Sequence, residues 1–245
     1  MTAQHVVRRF EEELQCLDSL IEQLGSMAAN RLRLALDGLS EGNGALAAEV
    51  VARDVELDRL EQEICQLALR LIALRQPTGR DLRQAFSVYK CATEFERIGD
   101  YAANLAKRFS VLRHRSPPDL TRAIIEMGRH AQEMTEEVAA AFVARDASNA
   151  LTIWLRDQEL DVMHTVLFRK LLTAMIEAPA NVTVCAHLLF IAKNLERVGD
   201  HVTNIAEAVH FLVRGAPIDQ TRTKLDLASF CEQSGTVIAN PPPRS

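Results

Sequence analysis

Turn-forming residues are scarce in this chain: 245 residues hold only 10 glycines and 8 prolines. Average usage is about 7% Gly and 5% Pro, so the many short strands of a sandwich or barrel are not expected. Aromatic residues make up 5% of the chain. Trp154, Tyr89 and Tyr101 are too few and too scattered for a base-stacking platform. Long apolar runs are missing as well. The best, Val182 to Ala192, carries His187 and is far shorter than the ~18 apolar residues of a membrane helix. Met1 to Glu13 lacks an apolar block behind a basic start, so no secretory signal is expected. Five cysteines (Cys16, Cys65, Cys91, Cys185, Cys231) are odd in number, far apart and without a CxxC. Buried thiols in a reduced, cytoplasmic protein are expected, not disulfides or structural zinc. A net charge of -5 supplies no basic face, so no nucleic-acid partner is expected.

What remains is helix-forming composition, 48% hydrophobic and 25% charged and rich in Ala, Leu, Glu and Arg. That apolar content and low net charge exclude global disorder. Proline costs ~3 kcal/mol inside a helix, so its positions mark ends. Pro77, Pro117-Pro118, Pro179 and Pro217, with Gly42-Asn43-Gly44 and a weaker break at Arg145-Asp146, leave six segments: 5–40, 45–75, 80–112, 118–144, 148–177 and 181–213. Phe95, Ile98, Ala102, Leu105 and Phe109 recur at spacings of three and four, as do Leu195, Val198, Val202, Ile205 and Val209. Such seams pack antiparallel helices at shallow angles.

The chain repeats itself. Glu96-Arg97-Ile98-Gly99-Asp100 through Asn104-Leu105-Ala106 is echoed by Glu196-Arg197-Val198-Gly199-Asp200 through Asn204-Ile205-Ala206, at an offset of 100. Upstream, Arg53-Asp54-Val55-Glu56-Leu57-Asp58 is echoed by Arg156-Asp157-Gln158-Glu159-Leu160-Asp161, at an offset of 103. Two ordered echoes at nearly one offset imply duplication of a three-helix unit. The expected architecture is all-α, two tandem three-helix bundles of six long antiparallel helices with pseudo-twofold symmetry. The units fall at 1–113 and 118–214, joined across Ser110 to Asp119. Residues 215–245 have no counterpart and are expected to be a partly disordered tail.

Each unit carries paired carboxylates four residues apart: Asp54 and Asp58, Asp157 and Asp161, Glu96 and Asp100, Glu196 and Asp200. Such pairs share one helix face and destabilise it by roughly 0.2–0.5 kcal/mol each unless a cation sits between them. Asn104 and Asn204 extend the stripes, as do Glu61 in the first unit and His164 in the second. Packing the second helix of a unit beside its third would gather oxygen and nitrogen donors suited to Mg²⁺, Mn²⁺, Ca²⁺ or iron, with room for more than one ion. A plainer reading stands beside this: solvated acids paired with the adjacent Arg53, Arg97, Arg156 and Arg197.

Gly99 and Gly199 interrupt their helices, most simply to allow close helix approach. His130, His187 and His210 fit core or surface positions better than ligand positions. A ferritin-like oxidase or storage protein needs a carboxylate three residues before His on facing helices. Asp161–His164 and Glu207–His210 have that spacing, but Glu61 and Arg108 spoil it in the first unit. A purely structural helical adaptor without metal is a third possibility.

The twin Glu-Arg-Ile/Val-Gly-Asp motifs, with Arg75-Gln76-Pro77-Thr78 and Asp81-Leu82-Arg83, resemble the PhoU family over about residues 5–213. The resemblance implies a cytoplasmic, usually homodimeric, non-enzymatic protein of two three-helix bundles. It implies a negative regulator of the phosphate-starvation response and of phosphate uptake. Its partners would be the nucleotide-binding subunit of the phosphate ABC transporter and the sensor histidine kinase of the regulon, with membrane contact only through them. Some members hold multinuclear iron or zinc on the repeated acidic motif. Here the ligands would be Glu96, Asp100, Glu196 and Asp200, with Asp54, Asp58, Asp157 and Asp161 and the Asn104 and Asn204 extensions. Glu61 against His164, and Tyr101 against His201, leave the two sites room to differ.

Overall fold

The computed structural model describes residues 3–112 and 117–220; the expected tail beyond Gln220 lies outside them, as does part of the expected crossing between units. The regular elements described are seven α-helices and one 3-10 turn: α1 (Ala3–Glu41), α2 (Gly44–Ala52), α3 (Asp54–Arg75), α4 (Gly79–Leu112), α5 (Pro118–Ala144), α6 (Ala147–Glu177) and α7 (Val182–Arg214), with the turn at Pro179–Asn181. Six of the helices are long, as expected, and each unit supplies three. The second segment differs in one respect, because it is divided at Arg53 (φ -90°, ψ 5°) into α2 and α3. Its counterpart α6 runs unbroken.

The helix ends follow local chemistry. The Asn43 side chain accepts from the Ala45 amide at the start of α2, and Asp146 accepts from Ser148 and Asn149 at the start of α6. These N-caps satisfy amides that have no partner inside the helix. α5 opens with Pro118, whose missing N–H costs nothing there. Gln76, Arg145 and Gly215 close their helices in the left-handed region.

The packing is organised around an inner layer. α1 and α4 of the first unit contact α5 and α7 of the second, while α3 lies against α4 and α6 against α7 on the two outer flanks. One continuous apolar cluster fills the interior, with Phe95, Ile98 and Leu105 of α4 beside Leu195, Val198 and Val202 of α7. The two inner contacts carry the pseudo-twofold relation. On α1, Gly25 lies so near α5 that a Cβ there would sit 2.9 Å from the Cβ of Ala139. On α5, the equivalent Gly128 lies against Leu36 of α1. Gly25 thus serves a close approach, and α1 continues through it. Along α4 and α7, Glu94 meets His201 and Asn204, and the rings of Tyr101 and His201 lie 5.5 Å apart.

Candidate functional site: two acidic grooves

The first groove lies between α3 and α4. Asp54 and Asp58, one turn apart on α3, face Asp100 of α4, and a carboxylate oxygen from each lies within 4.8 Å of the others. Glu96, one turn before Asp100, joins them electrostatically. Burial pushes its carboxyl up to about 7, reinforced by the charges of Asp100, Asp58 and Glu61, against Arg97. Asp54 is also raised, by burial and by Asp100 and Asp58, against the cations Lys107 and Arg31. Like charges crowded in a half-buried groove resist ionising together.

Backbone geometry explains how the helices come so near. A Cβ on Gly99 would stand 3.0 Å from Leu57 Cδ1. The glycine thus lets α4 settle onto α3 between the two acidic turns, as the close-approach reading requires. Arg31 of α1 enters from behind, bonding the Asp54 carboxylate and the backbone carbonyls of Arg53 and Asp54. At the division between α2 and α3 the Arg53 carbonyl accepts from the Glu56 amide as well as from Arg31. Glu61 is at the far end of the stripe, where it accepts from Cys65 Sγ and Thr93 Oγ1. Burial and Glu61 push the Cys65 thiol up to about 12, so it is a donor and not a thiolate ligand. Asn104 is exposed.

The second groove, between α6 and α7, repeats the sequence but not the surroundings. Asp157 is 1% exposed, against a half-buried Asp54. It lies directly under Gly199, where a Cβ would stand 2.2 Å from its Oδ1 and 2.5 Å from Leu160 Cδ2. His164 is buried. Burial lowers its pKa below the ordinary value, assisted by Lys193 and opposed by Glu196. Its imidazole is therefore neutral at physiological pH, the form that binds metals. Glu196 is 2.6 Å from Lys193 Nζ. Asn204 does not extend this stripe, because its amide donates to Glu94 across the inner layer. Among the described residues, the triad Asp54, Asp58 and Asp100 is the one group of three or more candidate metal ligands brought within reach of one another.

The adjacent arginines divide. Arg97 does pair with Glu96 (3.5 Å) and Asp100 (3.3 Å). Arg53 turns to Glu49, Arg156 to Glu137 and Arg197 to the Tyr101 hydroxyl. The pair Glu207 and His210 is drawn elsewhere: Glu207 accepts from Trp154 Nε1, and His210 Nδ1 lies 3.0 Å from the Ala216 carbonyl. Among the described residues, no group of three or more candidate metal ligands includes His164, Glu207 or His210, so the ferritin-like arrangement is not assembled there.

Sequence reasoning missed Arg31, Lys107 and the polar cluster built on Glu94. His201 Nδ1 is 2.6 Å from Glu94 Oε2, and Asn204 donates to the same oxygen at 3.1 Å. Burial opposes ionisation of Glu94, but these bonds and the charges of His201 and Lys90 outweigh it and hold the carboxyl below its ordinary value. His201 and Asn204 also border a polar cavity of about 640 Å³ with Tyr101, Arg197 and Trp154. One signal was available: Glu94 is an acid whose repeat counterpart is the neutral Asn194.

Comparison with known proteins decides the family. The model of the PhoU domain matches twice, over residues 21–109 and 124–209, so that each match spans one pair of acidic turns on each side of a groove. The chain belongs to the PhoU family. It is 41% identical over 227 residues to the phosphate-specific transport system accessory protein PhoU homolog of Caulobacter vibrioides, covering 92% of this chain and 99% of that one. The homolog of the same name from Rhizobium meliloti is 38% identical, with 94% and 97% covered. Among PhoU crystal structures, that from Pseudomonas aeruginosa aligns with TM-score 0.82 at 32% identity, covering 84% of this chain and all of the other. The phosphate transport system regulatory protein PhoU of Streptococcus pneumoniae aligns with TM-score 0.79 at 26% identity, covering 86% of this chain and all of the other. Among the described residues there is no strand, and none of the described helices is long and apolar enough to cross a membrane.

Proposed function

We propose that the chain is a cytoplasmic, non-enzymatic regulator of a phosphate-specific transport system. It restrains phosphate uptake and holds the phosphate-starvation response off when phosphate is plentiful. It does so as an adaptor between the nucleotide-binding subunit of the phosphate transporter and the sensor histidine kinase. The observation that carries this reading is similarity along nearly the whole length of relatives named as accessory proteins of that system. Deleting the gene in its source bacterium should give alkaline phosphatase expression in high phosphate; normal repression would overturn the proposal. Pull-down from detergent-solubilised membranes should recover a transporter or kinase subunit. An oxygen-dependent absorbance change on adding Fe²⁺ would favour the oxidase reading instead.

The acidic grooves enter this function as cation sites, with multinuclear iron or zinc, or Mg²⁺, Mn²⁺ or Ca²⁺, as the ions to test. The donor set in the first groove fits: Asp54, Asp58 and Asp100 converge, and the carboxyls of Asp54 and Glu96 are raised first by burial and then by a mutual repulsion that a cation would relieve. Asp54, Asp58, Glu96 and Asp100 would hold the ion, with Glu61 beyond them. In the second groove the candidates are Asp157, Asp161, Glu196 and Asp200, with His164. A bound cation would tie α3 to α4 and favour the folded bundle by mass action. Elemental analysis of Asp100→Asn and Asp200→Asn tests this: loss of metal from Asp100→Asn is expected, and undiminished metal in both would refute it.

A further inference from the structure

Where α1 begins and α3 finishes, the two helices enclose a groove that the second unit does not repeat. Leu17, Leu67, Leu71 and Leu74 line a cavity of about 300 Å³ there, together with Arg9, Arg70, Arg75 and Glu13. At the offset of 103 that relates the upstream acidic turns, Leu67, Arg70, Leu71, Leu74 and Arg75 become Lys170, Thr173, Ala174, Glu177 and Ala178. Arg9 and Glu13 belong to the extra length of α1, which has 39 residues against 27 in α5. Duplication of the unit therefore does not account for this groove. Leu74 is 70% exposed, and Cys16, another lining residue, is exposed where buried thiols were expected. Apolar side chains left open in a concave place, among a few charged groups, mark a binding surface.

The charge of the groove indicates its occupant. Glu13 is bonded to Arg75 and paired with Arg9. Three guanidinium groups among the lining residues thus face one carboxylate, on a chain of net charge -5. A fitting segment is apolar and acidic, and the chain supplies one. Residues 225–232 hold Leu225, Leu227 and Phe230 with Asp226 and Glu232, and no cation. They lie beyond the two matches to the PhoU domain, the second of which ends at residue 209.

The reach is sufficient. Gly215 closes α7 beside α4, where a Cβ would stand 3.5 Å from the guanidinium carbon of Arg83. Gly79 opens α4 shortly after Arg75 closes α3. The groove is thus about two helix widths from the end of α7, about 20–24 Å. From Gln220 to Phe230 an extended chain covers about 33 Å.

We infer that residues 225–232 of this same chain dock in the groove between α1 and α3. Leu225, Leu227 and Phe230 meet Leu67, Leu71 and Leu74, and Asp226 and Glu232 face Arg70 and Arg9. Cys231 then comes beside Cys16, and the groove is closed to other acidic, apolar segments. The inference goes beyond the regulatory reading, and its test needs no phosphate response.

The neighbouring thiols report on the docked segment. Brief diamide oxidation of the dilute full chain, followed by tryptic peptide mapping, should link Cys16 to Cys231 within one chain. Leu74→Glu, which writes the second unit's residue into the first, should slow linking by roughly fivefold or more, and Phe230→Ser should act alike. Arg70→Asp and Asp226→Arg should each slow it, and the two together should restore it, which a merely loosened variant could not do. No Cys16–Cys231 link, or a link formed only between two chains, overturns the inference. So does a linking rate indifferent to Leu74→Glu and Phe230→Ser, the result expected if the groove serves a different protein. A double reversal no faster than the single ones overturns it as well.

Discussion

The two grooves share an ancestry of sequence and differ in what stands behind them. In the first, Asp54 is half-buried and meets the guanidinium of Arg31. In the second, Asp157 is sealed beneath Gly199, and the place of Arg31 on the first helix of the unit is taken by the buried Met134. With different residues behind them, similar motifs thus form an open acidic cluster in one unit and a packed one in the other. A repeated motif fixes which side chains face a groove; the third helix of the bundle fixes their charge environment.

Four substitutions break or sharpen that comparison. Gly199→Ala has the largest expected effect, because the new methyl would overlap both Asp157 and Leu160. Overpacking of this kind costs about 2–3 kcal/mol. Thermal unfolding should fall by about 5 °C or more for a chain of this size. Next is Arg31→Met, which copies the second unit into the first. It removes a 5% exposed guanidinium from Asp54 and from two backbone carbonyls. A loss of about 2 kcal/mol is expected in urea unfolding.

Glu94→Gln comes third and probes the seam between the units. The folded carboxyl titrates below its ordinary 4.5, so its stabilisation is fully present above that value and is lost as pH falls through the lower folded one. Stability curves of wild type and variant should therefore differ by about 1 kcal/mol at neutral pH and converge in acid. A constant gap across that range would remove Glu94 from the account. Smallest is Gly99→Ala. Leu57 need yield only a few tenths of an ångström, and alanine gains about 0.8–1.0 kcal/mol in helix propensity. Its melting temperature should stay close to wild type, in contrast to Gly199→Ala.

Much of this was legible beforehand. Prolines and the breaks at Gly42-Asn43-Gly44 and Arg145-Asp146 divided the chain into its long helices, because the backbone rules behind them act within a few residues. The paired echoes placed four acidic turns on helix faces, since residues four apart must share a face. What could not be read depends on contacts distant in sequence. Arg31 reaches Asp54 from another helix, with no local pattern to announce it. Asn204 belongs to the stripe of Asp200 by spacing, yet Glu94 of the other unit claims its amide. Even the break at Arg53 looks unremarkable in sequence, and only the fold brings Arg31 to its carbonyl.

The inner crossing has a consequence for how the halves recognise each other. Gly25 faces Ala139, whereas its equivalent Gly128 faces the larger Leu36. Glu94 meets His201 and Asn204, whereas its equivalent Asn194 is uncharged. The duplicated surfaces have become lock and key, so that the half carrying Leu36 and Glu94 fits the half carrying Ala139 and His201 better than a copy of itself. Cut between α4 and α5 and expressed as separate polypeptides, the two pieces should choose one another.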